Sequence, residues 1–143
     1  MEKENLDLLG GHIRRVYRPN LDEIVFLSSC TIKHEDIIVY QRMRSAFNHM
    51  TVMFKKEMVL KAGNYEDGLY MEDDLLWLNM ISAGARTGNV DQILCKVRVG
   101  AGMFERRGGL RYLKLYRQAR QRMHARGQIS YGEYLKSVLI QAV

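Results

Sequence analysis

Apolar and polar positions along this chain form blocks that predict short strands separated by helices. Apolar runs rich in β-branched and aromatic residues predict strands over 8–17, 24–27, 51–54 and 93–99, the last after a turn at 89–91. Helical spacing predicts helices over 34–44, 56–62, 72–83, 110–126 and 131–142. Gly63, Gly84 and Gly127 each follow one of these helices and are predicted to end it.

This order of elements favours an α/β or α+β fold built as one domain over 1–143. Residues 1–104 are predicted to form a short mixed sheet flanked by helices, and residues 105–143 a C-terminal helical pair. A capping box at Ser130–Glu133 precedes the last apolar stripe, whose tyrosines are expected to pack. Four short strands make a thin sheet, so the chain is predicted to be part of something larger. An unpaired strand edge would then favour a homodimer or aggregation.

The net charge of +6 is unevenly distributed over the 143 residues. Residues 105–126 carry eight Lys and Arg side chains and one carboxylate, a net charge of +7, which leaves −1 for the remainder. The basic character therefore belongs to the helix predicted over 110–126 and the segment before it. It indicates either a local anionic partner or a solvated helix face.

Cys30 and Cys95 do not have the spacing of a zinc site or a disulfide framework. Both lie in apolar runs and are expected to be buried thiols of a reducing compartment. No apolar run is long enough to span a membrane. The expected location is cytoplasmic.

Three consecutive carboxylates, Glu72, Asp73 and Asp74, run into the apolar helix that Gly84 stops. One reading is a helix start, because carboxylates there are stabilised by unpaired backbone N–H groups. A single carboxylate would suffice for that, and three repel one another. The other reading is a general base, since carboxylates desolvated against apolar walls such as Tyr70 and Trp77 gain basicity.

Three segments in order resemble the C-terminal half of bacterial family 2 glycosyltransferases with the GT-A fold. Residues 47–56 read FNHMTVMFKK, residues 72–80 read EDDLLWLNM and residues 98–109 read RVGAGMFERRGG. The corresponding family forms are NHxTVMFRK, EDYxLWxRM and RVGxxMxxRRGG. The resemblance extends from about residue 8 to residue 138, and it implies a partial GT-A-like domain from an enzyme of surface polysaccharide or capsule synthesis.

The resemblance also implies what this chain does not contain. In the family, an N-terminal half carries Rossmann-like strands and a DxD motif that holds Mn²⁺ or Mg²⁺ on the sugar-nucleotide diphosphate. The chain has no DxD in that position, so Met1 is expected to be the start of a fragment. The full-length protein is expected to be a hexosyltransferase, and the fragment alone to be inactive and to hold no metal.

The family pattern implies roles for the acidic residues. Asp73 would be the base that takes the acceptor hydroxyl's proton during inverting transfer, and Glu72 would orient an acceptor sugar. Asp74 stands where the family has Tyr, so it would contact the acceptor or be solvated. Asn79 replaces a family Arg.

Further donor- or acceptor-binding candidates are His49, Trp77, Arg98, Arg106 and Arg107. The arginines could pair with a diphosphate, or form a solvated basic loop. His49 could border a substrate pocket, or shape the entry to a strand. Trp77 could stack on a sugar, or belong to the core.

The expected partners are a nucleotide-sugar donor and a saccharide or lipid-linked saccharide acceptor. The basic helix 110–126 predicts contact with anionic lipid headgroups on the inner face of the membrane, or simple solvation. A nucleic-acid-binding module or a non-catalytic interaction module built on that helix is the alternative function. It leaves the acidic triplet unexplained, and no nucleic acid is expected as a partner.

Overall fold

The computed structural model describes residues 4–17, 24–67, 70–99 and 109–142. Four strands and five α-helices lie in these ranges, with one 3-10 turn at His49–Thr51. In chain order they are β1 (Leu8–Tyr17), β2 (Ile24–Ser28), α1 (His34–Gln41), β3 (Met53–Phe54), α2 (Lys56–Lys61), α3 (Glu72–Ser82), β4 (Thr87–Val99), α4 (Gly109–Ala125) and α5 (Tyr131–Ala142).

Strand β1 is the centre of a mixed sheet. Strand β4 runs parallel to β1 along its whole length, from Leu8 opposite Thr87 to Tyr17 opposite Val99. Strands β2 and β3 are antiparallel to β1 and pair with its end and its beginning, respectively. Because β4 occupies one edge of β1, β2 and β3 share the other. The predicted class, a short mixed sheet flanked by helices with a C-terminal helical pair, is confirmed.

Side chains fill the gap between β2 and β3 on the shared edge. The Gly11 N–H donates to Thr51 Oγ1 at 3.1 Å, and Asn48 Nδ2 donates to the Gly11 carbonyl at 3.0 Å. The backbone approaches closely here, because a Cβ on Gly10 would overlap Asn89 Oδ1 and lie 3.0 Å from Phe47. Two side chains thus replace a strand neighbour and fix the segment that carries His49.

Two strand predictions are wrong in extent. The turn predicted at 89–91 does not form, because β4 is continuous and its pairing with β1 shifts register around His12. Asp91 in that stretch contacts His12 Nε2 at 2.9 Å. The strand predicted over 51–54 keeps only Met53–Phe54, because the preceding residues form the 3-10 turn.

The helix ends predicted at Gly63, Gly84 and Gly127 are confirmed, whereas the helix predicted over 34–44 ends earlier, at Gln41. Gly84 and Gly127 follow α3 and α4 with φ of 91° and 70°, a left-handed conformation that glycine adopts without a Cβ clash. The capping box before α5 is also present. The Glu133 N–H donates to Ser130 Oγ at 3.2 Å, and the Ser130 N–H donates to Glu133 Oε2 at 2.7 Å.

The core lies on both sides of α3. One cluster packs α3 against the sheet and helices α1 and α2, and includes Leu8, Ile37, Phe47, Val59, Leu76, Trp77 and Met80. A second cluster joins α3 to the C-terminal helices through Leu75, Leu78, Met123 and Ile129. The predicted stripe on α5 is not buried as expected, because Tyr131 is 60 % exposed and Leu139 67 %.

Candidate functional site

Asp73 lies in the first turn of α3. The residue before the helix, Met71, has a left-handed backbone with φ 65° and ψ 38°, which a non-glycine residue seldom adopts. Asp73 Oδ1 accepts the Asp74 N–H at 2.8 Å. The carboxylate therefore serves the helix start with one oxygen and keeps the other available.

His49 lies beside this second oxygen. Its Nδ1 is 3.4 Å from Asp73 Oδ2, and its Nε2 is 3.5 Å from the Tyr65 hydroxyl. Both separations are longer than an ordinary hydrogen bond. The imidazole also makes an edge contact with Trp77, with ring centroids 5.9 Å apart. The structure thus brings together His49 and Asp73 and adds Tyr65, which the sequence prediction did not include.

The pKa of the Tyr65 hydroxyl should depend on the negative charges of Glu72 and Asp73. Burial raises the pKa of Tyr65, and the negative charges of Asp73 and Glu72 raise it further by opposing the phenolate. In Asp73→Asn the pKa of Tyr65 should fall toward the ordinary value while staying above it. NMR titration of ¹³C-labelled tyrosines, with Tyr65→Phe to assign the signal, measures this. The exposed Glu57→Gln variant should leave the titration unchanged, and an equal fall there would contradict the assignment.

Asp74 is buried and ion-paired, so the expectation that it is solvated is wrong. The side chain is 1 % exposed, and its Oδ2 accepts from Arg120 Nη2 at 2.8 Å. Its Oδ1 accepts from Gln41 Nε2. Both oxygens are thereby used inside the protein, and α1, α3 and α4 meet at this carboxylate.

The prediction that the basic helix exposes its arginines is wrong at Arg120. The Arg120 side chain is fully buried. Its Nη1 donates to the carbonyls of Gln41 and Arg42 at 3.4 Å, and its Nε donates to the Tyr116 hydroxyl at 3.2 Å. Burial raises the pKa of Asp74, and the Arg120 charge opposes that rise.

Trp77 belongs to the core, which is one of the two alternatives predicted for it; the other was stacking on a sugar. It is fully buried, and its ring contacts Phe47 and Phe54 at centroid distances of 5.9 and 6.1 Å. Its faces are therefore closed to a sugar.

Arg98 is exposed on β4, opposite Val16, and is not brought together with Asp73. Arg106 and Arg107 lie outside the described residues.

An open cleft of about 710 Å³ lies in front of Asp73. The sheet contributes Ile13 and Arg15, residues 44–50 form one wall, and the start of α3 forms another. Helix α4 adds Tyr112 and Tyr116, which were expected only to pack. The lining includes the carboxylates of Glu72 and Asp73 on α3 and the guanidinium groups of Arg15 and Arg44.

The described part of the chain contains no cluster of three His, Cys, Asp or Glu side chains able to hold a metal ion. The carboxylates of 72–74 do not form one, since Asp74 is turned into the ion pair with Arg120. Within the same residues, no helix is long and apolar enough to cross a membrane.

Comparison with known proteins identifies three similar glycosyltransferases. The amylovoran biosynthesis glycosyltransferase AmsE of Erwinia amylovora is 42 % identical over 88 residues, which are 62 % of this chain and 33 % of that protein. An uncharacterized glycosyltransferase of Haemophilus influenzae is 36 % identical over 107 residues, 75 % of this chain and 39 % of that protein.

The third is an Escherichia coli protein named UDP-Gal:alpha-D-GlcNAc-diphosphoundecaprenol beta-1,3-galactosyltransferase. It is 31 % identical over 103 residues, 72 % of this chain and 38 % of that protein. No protein-family model and no solved structure matches the chain. The chain spans less than two fifths of the length of these relatives. It is homologous to one part of bacterial glycosyltransferases.

Proposed function

We propose that this chain is the acceptor-side part of an inverting GT-A glycosyltransferase of family 2, which moves a sugar from a nucleotide-sugar donor to a saccharide acceptor. Bacterial surface polysaccharide synthesis is the proposed setting. The observation that carries the proposal is the position of Asp73, at the start of a rigid helix and on a cleft, in a chain homologous to glycosyltransferases. The fold is consistent with a partial GT-A-like domain.

In this mechanism Asp73 Oδ2 takes the proton of the acceptor hydroxyl as that oxygen attacks the anomeric carbon of the donor sugar. The nucleotide diphosphate leaves from the opposite side of that carbon, so the configuration inverts. The Asp73 side chain is 28 % exposed, so its carboxylate can reach a ligand without unfolding the helix start. Glu72 is exposed beside it and orients the acceptor by accepting hydrogen bonds from other hydroxyls.

The donor-binding half and its Mn²⁺ or Mg²⁺ belong to the proposed full-length enzyme. The described residues do not provide a metal site, so no step here is assigned to a metal. Arg106 and Arg107 remain candidates for the donor diphosphate.

The acceptor proposed here is a lipid-linked saccharide, and the name of the Escherichia coli relative, which specifies such a molecule, supports it. Arg15 and Arg44 in the cleft offer positive charge for a linking diphosphate. Exposed cations on α4, namely Arg111, Lys114, Arg117 and Arg122, suit the anionic headgroups of the cytoplasmic leaflet.

The test is a transfer assay on the intact protein. UDP-, GDP- and dTDP-sugars are offered with an α-GlcNAc diphosphate that carries a short alkyl chain, with and without Mn²⁺. We expect one nucleotide to be released only when the acceptor is present, together with an elongated saccharide. Salt-sensitive binding of a short DNA duplex without any transfer would instead overturn the proposal in favour of a nucleic-acid-binding module.

A further inference from the structure

Two tyrosines form an edge-to-face pair beside the acidic triplet. Tyr70 precedes α3, and Tyr112 lies on α4, with ring centroids 5.5 Å apart and planes at 89°. Edge-to-face packing is a preferred arrangement for aromatic rings, because the positive edge of one meets the negative face of the other. Tyr112 therefore holds the Tyr70 ring in a defined position although Tyr70 is 41 % exposed.

The pair is anchored in the buried ion pair. Tyr112 stacks on Tyr116 with a centroid distance of 6.4 Å, and the Tyr116 hydroxyl accepts from Arg120 Nε and donates to the Met43 carbonyl. Arg120 in turn holds Asp74, the residue directly after Asp73. One continuous set of contacts thus fixes both the exposed ring and the carboxylate relative to α3.

Tyr70 and Asp73 also border the same cleft. Asp73 is three positions after Tyr70 in the chain, so their Cα atoms are at most about 11 Å apart. That span is within the reach of a short saccharide. Trp77 cannot serve such a ligand because it is fully buried, which leaves Tyr70 as an exposed, braced ring beside the candidate base.

Such a ring fits one class of ligand well. A pyranose has a face of C–H groups that is apolar and slightly positive, and it packs on the negative face of an aromatic ring. The sugar's hydroxyls then point sideways, toward carboxylates such as Glu72 and Asp73. We propose that Tyr70, braced by Tyr112, is a platform on which a pyranose ring of the acceptor stacks beside Asp73. That this pyranose belongs to an acceptor rests on the proposed function.

The experiment measures binding to the intact protein without requiring turnover. The probes are the alkyl α-GlcNAc diphosphate and inorganic pyrophosphate, and the variants are Tyr70→Ala, Tyr70→Phe and Tyr131→Ala. Tyr131 is a matched control, since it is another exposed tyrosine in ring contact with its neighbours but lies on α5 and does not line the cleft. Amide NMR spectra verify that each variant is folded.

We expect the Kd for the saccharide to rise about tenfold in Tyr70→Ala and to change less than about twofold in Tyr70→Phe and Tyr131→Ala. Tyr112→Leu, which removes the brace, should weaken binding in the same direction as Tyr70→Ala. Pyrophosphate should bind all variants as it binds the wild type. Saturation transfer should reach the pyranose ring protons.

The platform is overturned if the wild type does not bind the saccharide or if Tyr70→Ala binds it normally. Equal losses in Tyr70→Phe or in Tyr131→Ala also overturn it, because they point to the hydroxyl or to a general effect. The same experiments test the proposed function independently of the platform. Tyr70-dependent saccharide binding in a protein that transfers no sugar keeps the platform and removes the transferase, and transfer with normal binding by Tyr70→Ala does the reverse.

Discussion

Replacing Arg120 with methionine should lower the free energy of unfolding by about 3–5 kcal/mol, the cost of breaking a buried ion pair by removing one partner. Asp74 would keep its contact with Gln41 but would lose the only cation that faces it within 4 Å among the described residues. Chemical denaturation of the variant and the wild type at pH 7 measures the difference.

The loss of unfolding free energy in Arg120→Met should depend on pH. Burial raises the pKa of Asp74 above its ordinary 3.8, and removing Arg120 takes away the charge that opposes this rise. The folded variant therefore keeps a proton that the unfolded chain releases above about pH 4, so its stability falls as the pH rises from there toward neutrality. The deficit relative to the wild type should be smallest at the acidic end of this range.

Two controls define the result. Arg117→Met removes an exposed cation from the same helix and should change stability by no more than about 0.5 kcal/mol. The double variant Asp74→Leu with Arg120→Met removes both charges and should recover much of the loss. If Arg117→Met and Arg120→Met were equally mild, the ion pair would not stabilise the fold.

Asp73→Asn should lower the kcat of transfer by about 10²–10⁴-fold while leaving the affinity for the acceptor nearly unchanged. Asparagine has almost the same shape but cannot accept the acceptor's proton. Its amide oxygen can still accept the Asp74 N–H, so the helix start should be preserved. Steady-state kinetics of the intact protein, with the acceptor concentration varied, separates kcat from KM.

Glu72→Gln is the matched control for this position. Because Glu72 is proposed to orient the acceptor, its loss should raise the KM for the acceptor more than it lowers kcat. A normal kcat in Asp73→Asn would remove Asp73 as the base. A larger loss of kcat in Glu72→Gln than in Asp73→Asn would reassign that role to Glu72.

The parts of the fold set by local rules were predictable. Glycines at the helix ends, the Ser130–Glu133 box and the strands β1 and β2 depend on a few neighbouring residues, whose conformational preferences can be read from the sequence. The parallel pairing of β1 with β4 was not predictable in this way. It joins segments about 80 residues apart, and neither segment specifies its partner locally.

For the site too, residues within one short motif were predictable from the sequence, and contacts between distant segments were not. The motif that includes Asp73 is a short run of residues, whereas the contacts with His49 and Tyr65 arise only when separate loops meet. The burial of Arg120 did leave a signal. Arg120 lies one helical turn from Tyr116 and from Met123, on the apolar stripe itself, where a charged side chain requires a buried partner.

The contacts of the buried pair also limit how such a pair can arise by single substitutions. Without Asp74, Arg120 would still have three oxygen acceptors, from Tyr116, Gln41 and Arg42. Without Arg120, the Asp74 carboxylate would have no cation within 4 Å in the part of the chain that the structure describes. Aspartate at position 74 therefore depends on arginine at position 120 more strictly than that arginine depends on the aspartate.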